Sequence, residues 1–278
     1  MQKDTVEEFR KKREEALSFL KKQTDEQPDY LIILGTGLGG LAKEIEILES
    51  IPYNEIPDFP VSTVEGHAGR LIYGKLGNKE VLAMQGRFHY YEGYSMKELT
   101  FPVRVMKFVG VNHLFVSNAS GGLNPEWHVG DIVLINDHIN FFTEHPLHGK
   151  NENELGPRFP DMSKVYDERL RNKAKLIAIE SNIVVKEGVY VGVQGPTFET
   201  PAEYKMFRIL GGDVIGMSTV PEVIVARHMG IRVFGISIIT DSGVPGEIVE
   251  ISHEEVQKVA MKAEPKMTRI MKELIKGI

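Results

Sequence analysis

Eight short apolar runs govern what this chain becomes: YLIIL (30–34), RLIYG (70–74), EVLAMQG (80–86), HLFVSN (113–118), DIVLIN (131–136), GVYVGVQG (188–195), DVIGM (213–217) and IRVFGISIIT (231–240). Stretches of helical spacing separate them, so strands and helices alternate along the chain. Several of the runs are too continuously apolar to leave one face in water, which requires a central sheet covered on both sides. The class is therefore α/β. A chain of 278 residues suits one such sheet, and neither a linker nor an internal repeat divides it. Residues 1–278 are read as one domain, with residues 1–25 as an N-terminal surface helix packed on it.

Helix starts can be placed from side chains that satisfy the orphan N–H groups of a first turn. Ser or Thr is followed three residues later by Glu at Ser95 and Glu98, Thr200 and Glu203, Thr219 and Glu222, and Ser252 and Glu255, the spacing of a reciprocal cap. Asp4 with Glu7 marks the first helix, whose Val6, Phe9, Ala16, Leu17 and Leu20 recur on one side. In α/β sheets ligands gather where strands end and helices begin, so the residues just before these caps are candidates for a site. The stretch 140–164, mixed and rich in Pro, Asn and Gly, reads as a long functional excursion.

Composition narrows the partners. A formal net charge of −6 gives no electrostatic reason to bind nucleic acid or an anionic membrane. The absence of cysteine removes disulfides, thiolate catalysis and cysteine zinc sites, and suits a reducing compartment. The N-terminal segment has charges throughout and lacks the apolar core of a signal peptide, so the protein is expected in the cytoplasm. His138, His145 and His148 fall in or beside the irregular excursion without a metal-binding framework, and no metal is expected.

Gly35, Gly37 and Gly40 in LIILGTGLGG have the G-x-G-x-x-G spacing of a dinucleotide turn. That reading needs a helix after Gly40 and an acidic residue at the end of a second strand. The text that follows is broken by Pro52, Pro57 and Pro60, with Glu55 and Asp58 in loop, and the fingerprint fails. A nicotinamide-dependent oxidoreductase and a noncatalytic binding protein remain as rival classes. Arg87, His89 and Tyr91 occupy alternate positions and share one face if the chain is extended. Arginine grips phosphate through its planar fork, and a neighbouring histidine adds a donor. Asn118 to Gly122 end a strand; Glu199 precedes one cap, Met217 and Ser218 another; Thr240 and Asp241 end the most apolar strand, and His253 follows Ser252.

Together GTGLGGL, EGHAGRL, GRFHYYEGY, SNASGGLNP, RFPDMS, GPTFETPAEY, GMSTVPEVIVARHMGIRVFGISIIT and SHEEV resemble the trimeric purine nucleoside phosphorylases, in order and from about residue 30 to the end. The resemblance implies a mixed, distorted barrel-like sheet ringed by helices, a homotrimer, no organic cofactor, and inorganic phosphate as co-substrate. It implies phosphate held by Thr36, His67, Arg87, His89, the Ala119 N–H and Ser218. Ribose would meet Tyr91, Met217, His253 and, from a neighbouring subunit, Phe159. The base would meet Phe198, Glu199, Thr240 and Asp241, with His89, Glu199 and Asp241 carrying the catalytic work. The activity implied is phosphorolysis of inosine and guanosine in purine salvage. Members using those substrates generally carry asparagine where this chain has Asp241, whereas aspartate is the pattern of the methylthioadenosine-cleaving relatives, which lack the glutamate matching Glu199. Methylthioadenosine phosphorolysis, or a widening toward 6-aminopurines, is the alternative.

Overall fold

The computed structural model describes residues 5–24, 27–63 and 68–278. The strands are β1 (Tyr30–Leu34), β2 (Glu46–Pro52), β3 (Arg70–Leu76), β4 (Lys79–Gln85), β5 (His113–Gly122), β6 (Ile132–Asn140), β7 (Val185–Gly192), β8 (Val214–Gly216) and β9 (Arg232–Ser242). The α-helices are α1 (Val6–Leu20), α2 (Met96–Val109), α3 (Glu168–Glu180), α4 (Pro201–Ile209), α5 (Val220–His228) and α6 (His253–Lys276). The strands form one sheet in the order β2-β3-β4-β1-β5-β8-β7-β6-β9, and β5 pairs again with β9. That second pairing closes β5, β8, β7, β6 and β9 into a mixed barrel, with β1 to β4 continuing as a flange.

The covering of both faces is visible within β1. Leu31 and Ile33 enter one core with residues of α1, α2 and α5, while Tyr30, Ile32 and Leu34 enter another with residues of α3 and α6. Each fully buried aliphatic side chain contributes about 1.5–3 kcal/mol, which is why so apolar a strand has only one stable place. β5 is the hub, pairing with β1, β8 and β9. Its first half supplies core residues Leu114 to Val116, and its second half, Ser117 to Gly122, is small and polar.

Local chemistry sets the helix ends. Ser95, Thr200 and Ser252 cap α2, α4 and α6, each paired reciprocally with the expected Glu98, Glu203 and Glu255. Helix α1 starts one residue later than expected, on Thr5 with Glu8; Asp4 lies outside the described residues. Phe9 of α1 packs edge-on to Phe101 of α2 at 5.3 Å. Arg13, stacked 4.4 Å from the Phe108 ring centroid, pairs with Glu152 at 2.9 Å and Glu154 at 3.2 Å and so ties the 140–164 excursion to α1.

One cap differs from expectation, and two further segments take forms of their own. Thr219 does not cap α5: it has φ +72 and no side-chain capping bond. Its hydroxyl instead accepts from Asn118 Nδ2 at 2.9 Å, and Glu222 turns to Arg87. After Gly40 the chain forms a 3-10 turn over Gly39–Glu44 rather than an α-helix. Strand β2 gave no sequence signal because it is an edge strand whose Ile47 and Leu48 remain exposed, so its apolar residues do not alternate.

Candidate active site

Loops at the ends of β1, β4, β5, β8 and β9, with the starts of α4 and α6, converge on a cavity of about 320 Å³. This is within the range of small-molecule sites. Thr36, Arg87, His89, Tyr91, Ala119, Met217, Ser218, Phe198, Glu199, Thr240, Asp241 and His253 all line it. Arg87 and Glu199, separated by more than a hundred residues, therefore face one space.

At one end, the turn after β1 bends at Gly37, φ +71, where a Cβ would lie 2.9 Å from Ala260 Cβ of α6. Only glycine meets both demands, and the turn is thereby held against α6 with Thr36 in the cavity. Arg87 is 2% exposed. Its Nη1 donates to Ser117 O at 2.9 Å and Ser218 Oγ at 3.1 Å, and its Nε to Glu222 Oε1 at 3.2 Å. The guanidinium is fixed before any ligand arrives. Its buried charge is balanced by Glu222, which lowers the desolvation penalty of keeping a cation there.

The chain is extended at His89, with φ −120 and ψ 150, and then turns 3-10 over Tyr90–Glu92. His89 stacks on Tyr91 with centroids 4.8 Å apart. Burial holds the His89 imidazole below its ordinary value, assisted by Arg87 and opposed by its bond to Glu92. Burial alone would raise the Glu92 carboxyl, but hydrogen bonds from His89 and Thr63 bring it down to about 2. Glu92 is thus an anion, and its Oε1 lies 3.1 Å from His89 Nδ1.

At the other end sit two carboxyls. Burial pushes Glu199 up to about 7, against hydrogen bonds from its own backbone and Tyr204, and the Asp241 and Glu203 charges add to the rise. Burial also raises Asp241, opposed by Thr240 and Tyr204. Thr240 Oγ1 donates to Asp241 Oδ1 at 3.0 Å, and Tyr204 Oη to Oδ2 at 3.4 Å. Met217, His253 and Val256 also border the cavity. Arg87 meets β5 at Ser117 and Asp241 meets it at Gly121, so the anion donors and the carboxyls sit at separate places along one wall.

Two expected residues are not in this lining. His67 lies outside the described residues. Phe159 is 87% exposed, with the Arg158 guanidinium 5.7 Å from its ring centroid, and does not enter the cavity of its own chain. Sequence reasoning missed Glu222 and Tyr204. Glu222 was masked by its spacing from Thr219; Tyr204 lies inside the GPTFETPAEY block but on the buried face of α4. Among the described residues no group of His, Asp and Glu is placed to hold a metal ion. No helix among them is long and apolar enough to cross a membrane.

Residues 29–276 match the model of the phosphorylase superfamily. Purine nucleoside phosphorylase 1 of Geobacillus stearothermophilus is 51% identical over 95% of this chain and 97% of its own. The chain belongs to the purine nucleoside phosphorylase family. Among solved structures, isoform 2 of the purine nucleoside phosphorylase of Schistosoma mansoni, in complex with cytosine and ribose-1-phosphate, is 45% identical with a TM-score of 0.90, covering 95% of each chain. A Schistosoma mansoni purine nucleoside phosphorylase in complex with adenosine is 41% identical, also with a TM-score of 0.90, over 99% of this chain and 98% of that one. Membership in this family makes the protein a pentosyltransferase, and its barrel is the family's fold.

Proposed function

We propose that the protein catalyses the reversible phosphorolysis of purine ribo- and deoxyribonucleosides, with inosine and guanosine as leading substrates, to free base and (deoxy)ribose 1-phosphate. The observation that carries this reading is the single cavity with Arg87, His89, Thr36, Ala119 and Ser218 at one end and Glu199 and Asp241 at the other. Phosphate binds at the first end, the purine against Phe198, Glu199, Thr240 and Asp241, and the ribose between them against Tyr91, Met217 and His253. His67 joins the phosphate site. Phe159 of a neighbouring subunit completes the ribose site in a homotrimer, a reading supported by its exposure on the excursion that Arg13 fastens. Purine salvage in the cytoplasm is the accompanying role, and no cofactor takes part.

The chemistry uses no protein nucleophile. As the N-glycosidic bond lengthens, C1′ gains oxocarbenium character and the purine gains negative charge. A phosphate oxygen attacks C1′ from the face opposite the base, and the glycosidic electron pair leaves with the purine. Fixed donors around phosphate and base supply most of the stabilisation, because they need no reorganisation as charge develops. Arg87, held by three hydrogen bonds, is such a donor. An ionised Glu199 accepts from N1–H of a 6-oxopurine and from the 2-amino group of guanine, each charge-assisted bond contributing about 1.5–3 kcal/mol.

Asp241 favours a second specificity, toward 6-aminopurines, because a carboxylate accepts from a 6-amino group. Incubation of inosine with and without phosphate tests the main reading. Hypoxanthine released only with phosphate supports it, and hypoxanthine release indifferent to phosphate contradicts it.

A further inference from the structure

Between β8 and α5 the chain reverses at one residue. Thr219 has φ +72 and ψ −54, and Val220 N donates across it to Ser218 O at 2.8 Å, so Thr219 is the centre of a γ-turn of the rare, positive-φ kind. A β-branched residue seldom takes a positive φ, and such a conformation persists only where its surroundings over-determine it. Neighbouring side chains diverge in a strand and do not face each other on a helix. At this turn they meet: Ser218 Oγ lies 3.2 Å from Thr219 Oγ1.

Behind Thr219 the contacts continue through Asn118, Ser237 and Ser120, all buried. Asn118 Nδ2 lies 2.9 Å from Thr219 Oγ1, Asn118 Oδ1 2.5 Å from Ser237 Oγ, and Ser237 Oγ 2.7 Å from Ser120 Oγ. The two lengths at Asn118 orient its amide, because 2.5 Å is an O–H···O separation and 2.9 Å the usual N–H···O value. Ser237 therefore donates to Asn118, and Asn118 to Thr219. Each hydroxyl has one proton, so the order carries through the whole chain. Ser120 donates to Ser237, and Thr219, already accepting from Asn118, directs its proton to Ser218 Oγ. That oxygen also accepts from Arg87 Nη1 at 3.1 Å. With donors on both of its lone pairs, the Ser218 hydroxyl has its own proton left for the cavity that it lines.

Resting on the phosphorylase reading above, we infer that Thr219 is a positioning residue, which fixes the Ser218 hydroxyl as a donor aimed at phosphate, at the end of a one-way hydrogen-bond chain from Ser120 through Ser237, Asn118 and Thr219. A serine free to rotate offers an anion either its proton or a lone pair; here only the proton is available. Hydrogen bonds that run head to tail strengthen one another, and the donor is already in place when the anion arrives. Asn118 borders the cavity, yet both ends of its amide are committed to Thr219 and Ser237, so it serves the chain rather than the ligand. The positive φ puts Thr219 Oγ1 between Asn118 and Ser218, which accounts for a threonine in a conformation that favours glycine.

Thr219→Ala and Thr219→Ser both lose the methyl group and differ only in the hydroxyl. With inosine saturating, Thr219→Ala is expected to raise the KM for phosphate about tenfold and Thr219→Ser to stay within about threefold of wild type, while the KM for inosine at saturating phosphate moves less than about threefold in either. In a Ser218→Ala background, adding Thr219→Ala changes the phosphate KM by no more than about twofold, because Thr219 acts through the Ser218 hydroxyl. A wild-type phosphate KM in Thr219→Ala, a Thr219→Ser variant as impaired as Thr219→Ala, or effects that multiply in the double variant overturn the inference and leave the phosphorylase reading standing. A wild type that releases hypoxanthine without regard to phosphate overturns that reading, and the inference with it. Neutron diffraction from crystals of the perdeuterated wild type needs neither variant nor ligand. The Thr219 deuteron is expected on the line to Ser218 Oγ and the Ser218 deuteron toward the cavity. A Ser218 deuteron on the line to Thr219 Oγ1 overturns the inference.

Discussion

Arg87 Nε lies 3.2 Å from Glu222 Oε1, and both side chains are buried. Neither charge is stable there alone. Glu222→Leu therefore leaves an unbalanced guanidinium and is expected to cost about 3–5 kcal/mol in denaturant unfolding. Phosphate replaces the missing anion, so its addition raises Tm more in Glu222→Leu than in wild type. Equal phosphate-induced shifts would show that the anion does not bind beside Arg87.

The same pair separates two substitutions of Arg87. Arg87→Ala strands Glu222 as a buried carboxylate, with a stability loss of similar size, so a fall in activity there mixes folding with binding. Arg87→Lys retains the charge but loses the planar fork. It is expected to fold and to raise the KM for phosphate about tenfold or more, while the KM for inosine at saturating phosphate changes little. Steady-state kinetics with each substrate varied in turn checks this.

Burial makes the ionised Glu199 a cost to stability. Its folded pKa lies above the unfolded value, so the folded state binds the extra proton. That contribution is complete below about pH 4.5 and is lost as pH rises through about 7. Glu199→Gln is thus expected to be more stable than wild type above neutrality, by on the order of 1 kcal/mol, and at least about tenfold poorer in kcat/KM for inosine. Urea titrations at acid and alkaline pH measure the first effect. A variant no more stable at high pH contradicts the burial argument.

For His89 and Glu92 the signs differ from Glu199. The depressed His89 value means that the unfolded chain takes up a proton first, so this contribution is present above the unfolded histidine pKa and fades as pH falls below it. Glu92, held at about 2, contributes above about pH 4.5 and loses its contribution between there and about 2. His89→Gln is expected to flatten the first decline, and Glu92→Gln the second, in the pH dependence of the denaturant midpoint.

Much of the site was legible because its residues cluster at strand ends in compact blocks, where small or polar types break an apolar run. Thr36, Arg87, Ser218, Glu199 and Asp241 all stood out in this way. The double-sided sheet was legible for the reason β1 shows, since residues apolar at every position need two cores. The barrel was legible only through the family resemblance, because the pairing of β5 with β9 joins segments more than a hundred residues apart and no local pattern names a strand's partner. Glu222 was misread because a Thr-x-x-Glu spacing satisfies a helix start only when the backbone permits. At Thr219 the left-handed φ and the bond from Asn118 do not. Tyr204 was passed over because a buried tyrosine on an amphipathic helix looks like core until its hydroxyl is traced.

The proposed phosphorolysis requires one cavity to bring phosphate and nucleoside together so that a phosphate oxygen becomes bonded to C1′. Turnover of inosine with phosphate fully labelled in heavy oxygen, followed by mass spectrometry of the sugar product, reads this directly. Ribose 1-phosphate that retains every labelled oxygen, including the one bridging to C1′, is expected. Unlabelled bridging oxygen, or free ribose in place of the phosphate ester, would contradict it.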